Sequence, residues 1–537
     1  MTRSILATLL MCLAMSLSGC GGASHPAASA NGSTPGISVT ISPFAASVLP
    51  GNSVQFTATV LHDPVNQGVT WSFADHTCTA ANCGTIDAAG KYTAPPALPS
   101  PPTFTLIATA ISDPSASAGV RVTIDPPQGA APALLLIGNT PAQGISVLSF
   151  SATVSEVTLQ PGDVSLVKNP VSVELSRLQV EKSLLASIPV PPGTYTSLTI
   201  KFANPKLTIL NSSGSGIGSC GSGAICKLTP PLANSSLSLT GPPFPITGDG
   251  STPVVLILDF DLSKSLSADG SLEPVITVQG APFMDGKRVT VKQADGAILY
   301  TGGDDIVDGA FFDLATDLGI LKNIADGFYV DVDPRNLCGD FYCVQGKIAE
   351  VDVLLDGGAY SVARRVVLKP PDQPEVEGVI VGINSDSQFD IVVLHQMPAV
   401  AGLELGDLIR VNVQPSSTFQ LADLPVSGSR LHFVAPVDLM TGQVVSVRVG
   451  ASALGDQTSI STDRVRLKSG AISGRVSSII DGNNLILDAV PGNFPAGAIQ
   501  VQVSTGNLNQ GDAVSLSGFL LKGAGNPLLV AEDLRKR

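Results

Sequence analysis

At 537 residues, with 54 glycines, 40 prolines and only 14% charged residues, the chain is long enough for three to five domains of about 100–200 residues each and is rich in turns. A formal net charge of −14 would repel a phosphate backbone, so nucleic acid is excluded as an expected partner. After the first 20 residues there is no apolar stretch of about 18 residues, and no transmembrane helix is expected.

Arg3, the apolar run Ile5 to Leu17 and the small residues before Cys20 make up a cleavable export signal. Leu17-Ser18-Gly19-Cys20 resembles a bacterial lipobox. The resemblance implies that residues 1–19 are removed, that the Cys20 thiol receives diacylglycerol and that the freed amine is acylated too. Two or more acyl chains anchor stably where one does not. An ordinary secretory signal with a chance cysteine is the alternative. Residues 20–36, rich in Gly, Ala, Ser and Pro, read as a flexible tether. Gly21, rather than Asp, follows the cysteine, which by resemblance to enterobacterial sorting favours the outer membrane. The expected location is therefore the cell envelope, with a membrane partner reached through the N-terminal lipid.

Of the eight cysteines, Cys12 leaves with the signal and Cys20 carries lipid. The rest form three close pairs, Cys78 with Cys83, Cys220 with Cys226 and Cys338 with Cys343, which suit local disulfides formed in an oxidising compartment. The alternative, zinc, needs four converging ligands, and only His76 stands near any pair.

Residues 37–125 hold alternating segments such as Val54 to Val60, Val69 to Phe73 and Phe104 to Ala110 between Pro, Gly, Asn and Asp turns, the pattern of a small β-sandwich. Val39-Thr-Ile-Ser-Pro43, Pro50-Gly51 before Val54, Val69-Thr-Trp71 and Gly90-Lys-Tyr-Thr-Ala-Pro95 resemble the group 2 bacterial Ig-like domain, which implies a stalk or adhesion role and no catalytic residues. Trp71 is expected in the core of a central strand, stacking on a sugar being the alternative.

Residues 133–280 continue with alternating segments, among them Ser197 to Phe202 and Val254 to Phe260, expected as a second β-sandwich. Val154-Ser-Glu-Val157, Val190 to Tyr195, Leu258 to Ser265 and Glu273-Pro-Val-Ile276 resemble an uncharacterised domain of bacterial lipoproteins, which implies a fold and no mechanism. Asp259, Asp261, Asp269 and Glu273 raise a calcium hypothesis; against it, strand alternation would place Asp259 and Asp261 together on a solvated face.

Between 300 and 537 three modules repeat, at 300–369, 376–468 and 470–537. Gly339-Asp340, Gly406-Asp407 and Gly511-Asp512 begin similar segments, and Arg365 to Lys369 matches Arg464 to Lys468. Short strands with Gly-Asp turns suit small OB-like barrels, and the pattern resembles an uncharacterised repeat domain of envelope proteins. Phe311, Leu314, Leu318, Leu321 and Ala325 have the spacing of one amphipathic helix, although a strand and a loop would serve as well. Asp331, Asp333 and Asp340 look like oxygen ligands, yet Asp340 belongs to the repeated turn, where such side chains satisfy local backbone donors.

The five histidines, His25, His62, His76, His395 and His432, belong to no metalloenzyme motif, and no nucleophile elbow, phosphate loop or dinucleotide fingerprint occurs. The expected architecture is all-β and multidomain: an Ig-like β-sandwich, a second β-sandwich and tandem OB-like β-barrels. The expected role is non-catalytic binding or adhesion, to polysaccharide or an envelope protein, without a cofactor or metal. The alternative is a divergent carbohydrate-active enzyme, whose paired carboxylates would leave little local signature.

Overall fold

A computed structural model describes residues 37–537 except 44, 75–77, 81–82, 97–102, 125–130, 143–144, 168, 213–215, 247–253, 268–269, 283–287, 303–310, 326–343, 345, 357–360, 369–373, 422–431, 451–458 and 524. Cys20, Cys338, Cys343, Asp269, Asp331, Asp333 and Asp340 lie outside the described residues.

The Ig-like module stacks a four-stranded sheet, ordered Ala45–Val48, Ser117–Ile124, Thr103–Ala110 and Val69–Phe73, with two smaller sheets built from Ser38–Ser42 and Thr57–Leu61 and from Ser53–Gln55, Lys91–Thr93 and Thr85–Ile86. Alternation along these strands sends Phe56, Tyr92, Leu106, Val120 and Val122 into one core. Trp71 packs against that core, its ring 6.2 Å from Phe56.

The second sandwich has a six-stranded sheet centred on the long strands Ser146–Gln160 and Gly193–Leu210. Facing it are Ala131–Thr140, Ser183–Val190, Val254–Asp261 and Ile276–Pro282, with Phe260 between Phe150 and Phe202 at 5.2 and 5.7 Å. Ala131–Thr140 is apolar throughout its middle because both of its faces are covered. Ala133, Leu135 and Ile137 point into the sandwich, while Leu134 and Leu136 join the core that contains Val291, Ile298 and Phe312. This second sheet therefore does not end with the sandwich. Ser187 pairs with Gly319, and the sheet runs on into the next module to a total of nine strands.

Three five-stranded barrels follow. The first uses Arg288–Gly302, Phe311–Thr316, Gly319–Ala325, Ile348–Asp356 and Ser361–Leu368; the second Glu375–Ser385, Gln388–Met397, Leu408–Leu421, Val444–Arg448 and Ser459–Lys468; the third Gly470–Asp481, Asn484–Asp488, Ile499–Gln502, Ala513–Leu521 and Leu528–Lys536. In each, the ring runs first, second, third, fifth, fourth and back to first, with the third and fifth strands parallel. Closure removes the exposed edges that short strands would otherwise present. The first barrel starts at Arg288, upstream of the boundary expected at 300.

Two sequence expectations are corrected here. Phe311 to Ala325 is a β-hairpin, not a helix: Phe312, Leu314 and Thr316 alternate inward, a turn at 317–318 reverses the chain, and Leu321 and Ile324 return into the same core. Two alternating strands across a tight turn here mimic the helical spacing. The second correction is to the register of the repeat. Gly511-Asp512 precedes the fourth strand of its barrel, and its counterparts there are Gly442-Gln443 and Gly346-Lys347, because Gly346, Gly442 and Gly511 donate to Ile298, Ile380 and Val476 at 2.7, 2.8 and 2.8 Å. Gly406-Asp407 precedes a third strand instead. The local role of the turn side chain is nevertheless visible: Asp407, Gln443 and Asp512 each accept, at 2.8 Å, the backbone N–H three residues back.

Candidate functional site

Cys78 and Cys83 are bonded, with S–S 2.08 Å, and so are Cys220 and Cys226, with S–S 2.11 Å. The first bridge lies beside Tyr92, whose hydroxyl donates to the Cys83 carbonyl at 2.7 Å. The second closes the loop before strand Ile225–Leu228, where Lys227 reaches Asp407 and Glu404 of the second barrel at 2.5 and 3.1 Å.

Asp259 and Asp261 are not on a solvated face. Asp259 is only 7% exposed, accepts from Thr140 at 3.2 Å and pairs with Arg535 of the third barrel. Asp261 is half-buried and bonds Ser263 and Lys264 at 2.5 and 2.7 Å. Of the two, Asp259 meets the last strand of the chain, while Asp261 is held by its own following turn.

The densest chemistry surrounds the turn at 175–182, between strands Val171–Glu174 and Ser183–Val190. Buried Glu174 shapes this turn by accepting from Phe150 N–H and Ser176 Oγ, each at 2.8 Å, and from Arg177 N–H at 3.4 Å; its burial pushes its carboxyl up. The turn then touches all three barrels. Glu181 pairs with Lys292 of the first barrel at 3.4 Å, Arg177 with Glu377 of the second at 3.3 Å, and Gln179 and Glu181 accept from Ser473 and Ser517 of the third, the latter at 2.6 Å.

Neighbouring groups extend this seam. Arg365 bridges Glu350 and Asp352 at 2.7 and 2.8 Å, and Gln293 Nε2 donates to Glu377 at 2.8 Å. Burial works against the charged form of Asp352, but Arg365 and Lys292 outweigh it and hold its carboxyl low. For Glu377 burial again opposes, and Lys468, Arg177, Lys292 and His395 prevail in the same direction. Lys292 stays high despite burial because Glu181, Asp352 and Glu377 surround it. Lys182 differs: burial first, then Arg535, lowers its amine to about 8, and no hydrogen-bond partner reaches its Nζ among the described residues.

Positions 177, 181, 292, 350 and 377 share no sequence motif and the sequence reading missed them, and it read Arg365 only as part of a repeated segment. Charged residues interrupting strand segments are the signal that could have found Lys292, Glu350, Arg365 and Glu377, since charges are rarely fully buried unless paired, whereas Arg177 and Glu181 lie in a turn and carry no such signal. Of the histidines, His395 alone joins the seam among the described residues, its Nδ1 3.7 Å from Glu350 Oε2. A separate groove of about 450 Å³ opens between the sandwich and the second barrel, lined by Ser151, Thr153, Ser172, Asn204, Lys206 and Leu405, with no carboxylate among its described lining residues.

No protein-family model matches the chain, and no curated protein does. Among solved structures the chain is similar to the protocadherin gammaB7 EC3-6 cis-dimer (11% identity, TM-score 0.15, covering 93% of this chain and 99% of that one). It is also similar to the ICAM-5 D1-D4 ectodomain fragment (10%, 0.14, 94% and 99%) and to Bacteroides ovatus SGBP-B in complex with a mixed-linkage heptasaccharide (12%, 0.15, 70% and 92%). The chain is a multidomain all-β protein, an Ig-like sandwich followed by a second sandwich and tandem OB-like barrels.

Proposed function

We propose that the protein is a lipid-anchored envelope protein, held in the outer membrane through Cys20, that displays β-domains for binding polysaccharide or another envelope protein and turns over no substrate. The anchor rests on Leu17-Ser18-Gly19-Cys20 and the tether at 20–36. The observation that carries the display role is the turn at 175–182, whose Arg177 and Glu181 are spent on the barrels rather than aimed into a cleft. Ion pairs of this kind hold modules in one arrangement, and loops on such a scaffold carry recognition.

The test is a glycan-array and envelope-extract pull-down with the chain from Ile37 onward, run beside a broad glycosidase and esterase screen. Saturable binding without turnover is the expected result. Reproducible turnover abolished by changing one carboxylate pair would overturn the reading.

A further inference from the structure

Asp295 on the first strand of barrel one stands directly opposite Glu350 on its fourth strand in the antiparallel ladder. Like charges in that relation repel. His395, on the second strand of barrel two, brings an imidazole to the same place, and one ligating atom from each of the three side chains lies within 4.8 Å of the others. Glu350 is buried and the other two are half-buried, so this is a covered seam and not a solvated acidic patch.

Glu350 is already oriented. Arg365 Nη2 holds its Oε1 at 2.7 Å, and its Oε2 lies 3.7 Å from His395 Nδ1. That separation is too long for a hydrogen bond, yet close to the ~3.4 Å edge between two ligands of a tetrahedral ion with bonds of about 2.0–2.1 Å. An outer partner that fixes a ligating carboxylate is the usual support of a metal site.

We propose that Asp295, Glu350 and His395 bind one divalent transition-metal ion, which clips the first barrel to the second. One imidazole with two carboxylates suits zinc, manganese, iron or cobalt, whereas calcium takes six to eight oxygens. The rival occupant of the gap is a proton on His395, giving an ion pair and no metal.

The test uses the untagged full-length chain in detergent, stripped with chelator and titrated calorimetrically with Zn²⁺, Mn²⁺, Co²⁺ and Ca²⁺. The expected result is one transition ion per chain, a Tm that climbs with metal concentration, and affinity at least tenfold weaker in His395→Gln and in Asp295→Asn. Both variants leave Glu350 in place for Arg365. Should a variant fail to fold, pulsed EPR of Mn²⁺ on the unaltered chain decides, with nitrogen coupling from one imidazole expected and oxygen-only coordination counting against the site. Absence of stoichiometric binding, undiminished binding in both variants, or calcium binding as tight as that of the transition ions would overturn the proposal.

Discussion

Arg535, in the last strand of the third barrel, pairs with Asp259 on a strand of the second sandwich, tying together residues 276 positions apart. Asp259 keeps 10% of its side-chain surface in water and Arg535 33%. Arg535→Leu leaves a buried carboxylate without its cation. The expected loss is roughly 2–3 kcal/mol, below the ~3–5 kcal/mol of a fully buried pair because Arg535 is partly solvated. Denaturant unfolding measures it, and the double change with Asp259→Leu should recover part of the loss; strict additivity would mean the two residues do not interact.

Lys182 gives a stability signature in alkali. Its amine sits at about 8 in the folded chain against an ordinary 10.5, so between these values the unfolded chain binds more protons. Stability contributed by this residue therefore rises with pH across that window, by about 3 kcal/mol in all, the penalty being complete below pH 8. Urea unfolding at intervals from pH 7.5 to pH 10.5 should show this rise in the parent and lose it in Lys182→Met. Equal slopes in both would refute the assignment.

Gly319 is where the sandwich sheet meets the first barrel. Its φ is +118°, and a Cβ there would stand 1.8 Å from the Ser187 carbonyl oxygen. Gly346 has a comparable φ of +74° but open space around the same position. Gly346→Ala should cost only the backbone strain of about 1–2 kcal/mol, and Gly319→Ala clearly more, because the strand pairing itself must open. Similar losses by thermal unfolding would show that the junction is not tight.

Opening the Cys220–Cys226 bridge with paired serine substitutions should cost about 2 kcal/mol in the chain-entropy model. Because Lys227 lies just beyond it, hydrogen exchange should quicken in both Ile225–Leu228 and the turn at 404–407. Faster exchange limited to the loop would mean that the bridge does not support the contact with the second barrel.

Cys20→Ala should abolish fatty-acid labelling and move the protein out of the membrane fraction. A variant that still takes up label and sediments with membranes would rule out the lipobox reading.

The sequence by itself determined the all-β architecture, the small β-sandwich at the start and the repetition of small modules, because alternation and turn chemistry are local. Val69 to Phe73 or Phe104 to Ala110 needs no distant partner to be read, whereas Val54 to Val60 divides at Phe56 between two sheets and the place of Gly511-Asp512 in the repeat follows from its bond to Val476. Local pattern also misled: Phe311 to Ala325 reads equally as a helix or as two strands across a turn, and only the barrel core around Phe312, Leu314 and Ile324 decides between them. Tertiary structure alone settled the shared nine-stranded sheet, which depends on one pairing of Ser187 with Gly319, and the ionic seam. Arg177 meets Glu377 across 200 positions, and Glu350 meets His395 across two barrels. A charge on a strand shows neither which module will cover it nor which opposite charge will be waiting there, since both follow from how whole domains pack.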